Sequence, residues 1–285
     1  MIGALLIDKP AGPTSFDVVA RVRRICRLKA VGHTGTLDPF ATGLLVVLLG
    51  GATRLARFLE SESKRYLATI RLGSATDTDD LTGTTVREAG PGWAPSGAEI
   101  QTALAGFRGT GMQRPPPYSA KKVDGQRSYV LARQGVAPEL APVEITVHSI
   151  DLVSRSGHDL VVRVDVSAGT YIRALARDLG ERLGGAAHLI ALRREAVGSF
   201  EVTGAVPLEA LTPDSPLLSP VELLAGMAQR ELTDGERIDI GHGRAIRGSE
   251  GQAGRVALVR EGRLIAVAEM AVDRLRPVVV LETAT

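Results

Sequence analysis

The alternation of apolar and polar positions divides this chain into short strands and a few amphipathic helices. GALLIDK (3–9) reads as a buried strand. Thr14 opens the pattern T-S-F-D, a capping box in which Asp17 reaches back to the first turn. Val18, Val19, Val22, Ile25 and Leu28 then recur at helical spacing and leave Arg21, Arg24 and Arg27 mostly on the wet side. A glycine-rich loop follows, then strand-like LLVVLL (44–49) and YLATIRL (66–72), then a polar loop, GSATDTDDLTG (73–83). The pattern predicts a helix over 98–107 and an irregular, proline-rich stretch over 111–127. VEITVHSIDLV and DLVVRVDVS keep the period of two expected of strands. Residues 167–170 turn the chain into a helix whose stripe is Ile172, Leu175, Leu179 and Leu183. Strands and helices mixed without strict βαβ alternation point to an α+β fold.

The pattern changes at PLEALTPDSPLLSP (207–220), which holds four prolines. Ser219-Pro220-Val221-Glu222 starts a short helix with a good cap and proline at its first position. From about Leu232 a β segment is expected. VALVREGRLIAVAEM resembles a hairpin turning near Gly262, and LRPVVVLE is a closing strand. The chain thus divides into residues 1–230 and a small module, 231–285, too small for a second enzyme.

With 285 residues, 44% hydrophobic and 23% charged, the composition is that of a soluble globular protein with a normal core. The longest apolar run, GLLVVLLGGA (43–52), falls well short of the roughly 20 residues that span a bilayer. MIGALLIDKP lacks the basic start and long apolar stretch of a signal peptide. A lone cysteine, Cys26, excludes an internal disulfide and a cysteine-rich metal site. A cytoplasmic location is the default expectation, and the lack of a heptad repeat makes a monomer the expected state. Net charge is only +2, but its distribution is uneven. Residues 18–59 carry seven Lys/Arg against one acid, Asp38, and residues 105–134 carry six against Asp124. Such local surfaces suit a phosphate backbone, although arginines also serve simply to solvate helices.

That lone acid lies in GHTGTLDPFATG (32–43). The loop is no Walker A sequence, because it lacks the lysine and hydroxyl pair. The five histidines are scattered, which argues against zinc. DTDDLTGTTVRE places Asp77, Asp79 and Glu88 at calcium-loop spacing, but Leu81 and Thr82 occupy a ligand position and the turn-glycine position. Pro39 holds Asp38 in an extended turn, and Gly32, Gly35 and Gly43 would let backbone approach a bulky partner. A carboxylate among phosphate-binding arginines works against that binding. It therefore has another role, either chemistry or the capping of a turn. KRYLATIRL puts Tyr66 at the start of a strand, and AGTYIRALARDLG puts Tyr171 and Arg173 in the first turn of a helix. A cation there opposes the helix dipole by about 0.3–1 kcal/mol unless an anion faces it. Asp38 is one candidate partner; Asp178 and Glu181 are the others.

Five blocks occur in order: DKPAGPTS (8–15), GHTGTLDPFATG (32–43), KRYLATIRLG (64–73), PPPYSAKKVDGQRSYVLARQG (115–135) and AGTYIRALARDLG (168–180). Together they closely resemble the TruB family of tRNA pseudouridine synthases, enzymes that isomerise uridine 55 in the T-loop. The resemblance spans roughly residues 3–200. It implies a mixed-sheet catalytic core followed by a PUA-like RNA-binding module, with a mobile RNA-contacting loop at about 114–140. It implies that Asp38 is the nucleophile, attacking ribose C1′ or uracil C6, and that Tyr66 is catalytic too, stacking on the flipped base and acting in proton transfer. It further implies that Arg173 pairs with the nucleophile, that His33 contacts the RNA and that Leu192 lines the uracil pocket. Tyr171 belongs to the same G-T-Y-I-R element, and Lys9 to a supporting K-P element.

The chemistry fits that resemblance. Isomerising uridine involves no redox change and requires no cofactor or metal. The base must be flipped out of its stack at a cost of a few kcal/mol. Stacking on a tyrosine offsets much of this, at roughly 1–3 kcal/mol per base. The implied partner is the T-arm stem-loop of tRNA, with no membrane involved. Two rivals compete with the enzyme reading. An RNA-binding protein would keep the basic face without needing the carboxylate, and a phosphate-processing enzyme would require a divalent ion.

Overall fold

LLVVLL (44–49) is apolar at every position because both faces of its strand are covered. A computed structural model describes residues 1–118, 122–123, 126–127, 140–248 and 254–282. The first part runs β1 (Gly3–Lys9), α1 (Ser15–Cys26), β2 (Val31–His33), β3 (Thr42–Leu49), α2 (Ala56–Leu59) and β4 (Lys64–Leu72). A small hairpin, β5 (Ser74–Thr76) and β6 (Thr85–Glu88), precedes α3 (Gly97–Ala105) and β7 (Gly109–Gln113). After the two-residue strands β8 (Lys122–Val123) and β9 (Gln126–Arg127) come β10 (Val143–Ser156), β11 (Asp159–Val166), α4 (Ile172–Arg182), β12 (Ala187–Val197), β13 (Phe200–Glu201) and β14 (Val206–Pro207). Among the described residues these build one ten-stranded sheet in the order β14-β1-β3-β12-β4-β11-β10-β7, with β2 on β3 and β13 on β12. The β12–β3 and β1–β14 pairings are parallel and the others antiparallel, which confirms the mixed sheet expected of an α+β chain.

Alternation assigns each side chain a face. Leu45, Val47 and Leu49 of β3 pack with Val18, Val19 and Val22 of α1, the helix whose capping box of Thr14 and Asp17 forms as expected. Tyr66, Ala68, Ile70 and Leu72 of β4 pack with Ile172, Leu175 and Leu179 of α4. The intervening residues of β3, namely Leu44, Val46 and Leu48, face a third cluster that includes Ala257, Val259, Leu264 and Val267 of the C-terminal segment.

That segment begins with the short helix α5 (Pro220–Leu223), capped by Ser219 as expected. Its five-stranded sheet takes β15 (Ala228–Glu231), β16 (Ile246–Arg247), β17 (Arg255–Arg260), β18 (Arg263–Ala271) and β19 (Arg274–Val280). The β17–β18 hairpin turns at Glu261 and Gly262, both at positive φ (51° and 72°). Two features differ from the expectation of a β segment starting near 231. Its first strand starts at Ala228, and α6 (Asp234–Gly241) intervenes, capped by a Thr233–Glu236 box in the overlooked sequence T-D-G-E. The stretch 207–220 is tied to β1 near both of its ends. Val206 and Pro207 pair with Ile7 and Asp8, and Leu218 bonds both ways with Ala4.

β12, a central strand, is the element least visible in the sequence. AHLIALRREAV breaks the period of two because its pairing with β4 slips between Leu189 and Ala191 and again between Arg194 and Ala196. The loop expected to be mobile over 114–140 falls largely outside the described residues, and so does Tyr129. Its described start, 114–118, follows directly on β7, so the stretch expected to be irregular begins as a strand. As to membranes, among the described residues no helix is long and apolar enough to cross one.

Gly43 is indispensable to the sheet. It has φ 101°, and a Cβ there would lie 2.3 Å from the Arg194 carbonyl oxygen and 2.7 Å from its amide nitrogen. The glycine allows two strands of the same chain to meet, rather than admitting a bulky ligand as its motif suggested. Gly43→Ala is expected to destabilise the protein by more than about 1 kcal/mol, read as a lowered Tm in thermal denaturation. An unchanged Tm would refute the close packing. Removal of residues 228–285 should likewise act on folding, since it uncovers Leu44, Val46 and Leu48. Loss of soluble protein or a large drop in Tm is expected. A truncated chain that melts like the full one would show that the C-terminal sheet does not share the core.

Candidate active site

Three segments converge on Asp38. The first is its own loop, between β2 and β3. The loop closes on itself through the Ala41 amide, which donates to the Asp38 carbonyl (3.1 Å). Ser15, in the first turn of α1, clamps the residue before the acid. The Leu37 amide donates to Ser15 Oγ (2.9 Å), and Ser15 Oγ donates back to the Leu37 carbonyl (3.2 Å). Lys9, wholly buried, donates from Nζ to the carbonyls of Pro10 (2.9 Å), Pro13 (2.8 Å) and Pro39 (3.2 Å). Arg194 of β12 donates to the carbonyls of Leu44 (2.7 Å) and Gly35 (3.0 Å). Prolines and turns leave carbonyls without partners, and two buried cations supply the donors.

The second segment is the N-terminus of α4. Tyr171 is its N-cap residue, and the Gln113 side-chain amide grips the Tyr171 backbone twice (2.9 and 3.0 Å). Arg173 follows, its side chain only 7% exposed. Its Nε lies 3.0 Å from Asp38 Oδ2, and Nη2 donates to Asp38 Oδ1 (3.3 Å). The partner considered first for this arginine is therefore the one it has. Asp178 belongs instead to Arg177 (2.8 Å). No backbone amide is among the partners of the Asp38 carboxylate in the described residues, so the acid is not a turn cap.

The third segment is the polar loop after β4, which was not expected to take part. Asp80 is 6% exposed and lies 3.6 Å from Arg173 Nη1. Its own Oδ1 accepts from Thr78 Oγ1 (2.8 Å), the Thr82 amide (2.9 Å) and Thr82 Oγ1 (2.6 Å). Arg173 Nη1 also donates to the Thr78 carbonyl, and Nη2 to the Tyr118 carbonyl (3.0 and 2.9 Å). The available signal was a carboxylate flanked by threonines two residues either side, a pattern that satisfies an acid locally.

The remaining expected residues surround this centre. Tyr66 and Leu192, both 8% exposed, belong to the same buried cluster as Leu37 and Ile172. Tyr66 stands opposite Val164 on one side and Arg194 on the other. His33 ends β2, half-buried, and its Nδ1 accepts from the Gly35 amide (3.2 Å), so a neutral ring carries its proton on Nε2. Lys9, expected among the substrate-binding residues, is wholly buried, and its Nζ is occupied by three backbone carbonyls.

Burial sets the electrostatics. One third of the Asp38 side chain remains accessible. Burial of the rest raises its pKa above the usual 3.8, with Asp80 adding to the rise; Arg173 and Lys9 pull it down. Desolvation thus outweighs the attraction of the neighbouring cations. Lys9 is lowered to about 8, first by burial and then by Arg194, against the attraction of Asp38 and Asp17. His33 is lowered by burial and by Arg194. NMR titration of the Asp38 carboxyl should therefore show a midpoint above 3.8, rising further in Arg173→Met, where the principal counter-charge is lost. A midpoint that falls in that variant would contradict the pairing.

The model of the TruB family pseudouridylate synthase N-terminal domain matches residues 23–172. That of the tRNA pseudouridylate synthase B C-terminal domain matches residues 173–218. The tRNA pseudouridine synthase B of Leifsonia xyli subsp. xyli is 44% identical over 278 residues, 94% of this chain and 92% of that protein. The same-named protein of Thermobifida fusca is 44% identical over 288 residues, 98% of each chain. Among solved structures, a chain of a Cbf5-Nop10-Gar1 complex has a TM-score of 0.77 at 25% identity, over 99% of this chain and 85% of that one. On a family model that matches more than half its length, and relatives that align with nearly all of it, this chain belongs to the TruB family of pseudouridylate synthases.

Proposed function

We propose that this chain isomerises uridine to pseudouridine at position 55 in the T-loop of tRNA, with Asp38 as the nucleophile. The observation that carries the reading is the state of the Asp38 carboxylate. It is partly accessible, it is held by one guanidinium, and its loop shares a buried cluster with Tyr66 and Leu192. An acid that serves only structure would be enclosed by donors.

The reaction breaks the bond from uracil N1 to ribose C1′ and forms one from C5 to C1′. The C5 hydrogen leaves to solvent and N1 gains a proton, so electrons balance without a redox partner. Asp38 supplies the nucleophilic oxygen, and Arg173 orients it and balances its charge. Tyr66 stacks on the extruded base, Leu192 lines the uracil pocket, and Tyr171 and His33 contact the RNA. Lys9 and Arg194 keep the loop rigid, so little reorganisation accompanies attack. Residues 1–227 serve as the catalytic unit and 228–285, from the first strand of the second sheet, as a PUA-like RNA-binding module. An RNA-binding protein without chemistry would gain nothing from Arg173 and Asp80 packed beside the acid, since buried charges are costly.

The decisive assay is tritium release from C5-labelled uridine in a T-arm stem-loop. Asp38→Asn is expected to bind the RNA as the unaltered chain does and to release no tritium above background. Turnover that survives this substitution would remove Asp38 from the mechanism.

A further inference from the structure

α4 carries a second arginine one turn beyond Arg173. Arg177 lies 3.0 Å from Asp79 Oδ2 through Nη1, and it holds Asp178 through Nε and Nη2 (2.9 and 2.8 Å). Its Nη2 also donates to the Arg114 carbonyl (2.9 Å). The pattern repeats that of Arg173, which pairs with Asp80 and donates to the Tyr118 carbonyl (2.9 Å). Two successive acids of one loop thus hold two arginines of one helix, and these grip the two ends of one segment.

That segment is Arg114-Pro115-Pro116-Pro117-Tyr118. Three consecutive prolines are stiff and offer no N–H, so carbonyls are the backbone groups by which donors from elsewhere can hold this stretch. Pro115 and Pro116 are buried. The far end touches the centre directly, because Arg173 Nη2 donates to both the Tyr118 carbonyl and Asp38. A stiff rod fixed at one end pivots; fixed at both, it forms a wall.

Asp79 also bears a local cost. It adopts φ 61°, a left-handed backbone that an aspartate tolerates but does not prefer, and it is 6% exposed. Its carbonyl accepts the Leu189 amide (3.0 Å), which ties the loop to β12. An acid so placed without its arginine would be an uncompensated buried charge.

We propose that Arg177, held by Asp79, is a positioning residue that fixes the Arg114 end of a proline strut whose other end bonds the arginine paired with Asp38, and thereby sets how firmly the target nucleotide is held beside Asp38. Arg177 does not touch the reacting atoms, so it governs RNA affinity and leaves the chemical step alone. The inference rests on the isomerase reading for the identity of the nucleotide. Protonation of Asp79 loosens the strut. Burial raises the Asp79 pKa to about 6; Arg177 and Arg173 act against that rise and Asp178 adds to it. RNA affinity therefore weakens as pH falls through about 6 and is full above it.

The test uses the full chain with Arg177→Met, Arg177→Lys and Asp79→Asn. Stem-loop Kd is read by fluorescence anisotropy and single-turnover rate by tritium release. Arg177→Met is expected to weaken binding on the order of tenfold, with the rate at saturating RNA within about threefold. Arg177→Lys should fall between, because an ammonium cannot fork to Asp79 and the Arg114 carbonyl together. Asp79→Asn separates this role from a simple phosphate contact. Removing an acid strengthens binding if Arg177 merely attracts phosphate, and weakens it if Asp79 holds the strut. Weaker binding in Asp79→Asn, with the pH dependence near 6 abolished, is the expected result. Tighter binding in that variant, or a loss confined to the rate, overturns the proposal. An unaltered chain that binds the stem-loop but releases no tritium would refute the isomerase reading, while the affinities would still decide the strut.

Discussion

A guanidinium cannot be deprotonated at any ordinary pH, so a buried one forces its surroundings to supply negative charge and acceptors. Arg173 imposes that requirement here. Asp38, Asp80 and the carbonyls of Thr78 and Tyr118 all answer it, from three separate stretches of chain. The loop of β2–β3, the loop after β4 and the end of the proline segment are therefore brought together by the donors of one side chain. The position of the arginine is in turn fixed by the helix it starts, whose apolar stripe packs on β4.

The same requirement explains the balance at Asp38. Taking a carboxylate out of water raises its pKa, and a guanidinium at 3.0 Å opposes the rise. Asp80 adds to the rise, so Arg173 is shared between two acids rather than committed to one. An acid fully satisfied by several donors would be a stable anion and a poor nucleophile. This one keeps accessible surface and a single strong partner.

Around the centre, rigidity comes from cations that act on carbonyls rather than on carboxylates. Lys9 and Arg194 both lie wholly or almost wholly inside, and their donors go to the backbone of the loop. The sheet carries that rigidity outward. β3 is covered on one face by α1 and on the other by the C-terminal strands, so the helix that clamps the Asp38 loop and the C-terminal sheet pack on opposite faces of one strand. Some of the basic residues clustered in the sequence serve this packing as well. Arg57 lies over the Phe58 ring and donates to the Val278 carbonyl, which joins the two parts of the chain.

Local chemistry made much of this legible in advance. The capping boxes of Thr14 and Ser219, the alternation in β4, β10 and β11, and the glycine turn at 262 are each decided by residues within a few positions of one another. The pairing of Asp38 with Arg173 could also be anticipated, because a cation in the first turn of a helix needs an anion and few were at hand. What stayed hidden depends on distant residues. β12 hides its period behind two bulges that its neighbour β4 dictates. Asp79 and Asp80 look like a solvated loop until α4 arrives to bury them. Gly43 looks like a ligand-facing glycine until Arg194 crosses it. A sequence states which groups need partners; only the folded chain decides which partners come within 3 Å, because that distance is set by packing between segments more than a hundred residues apart.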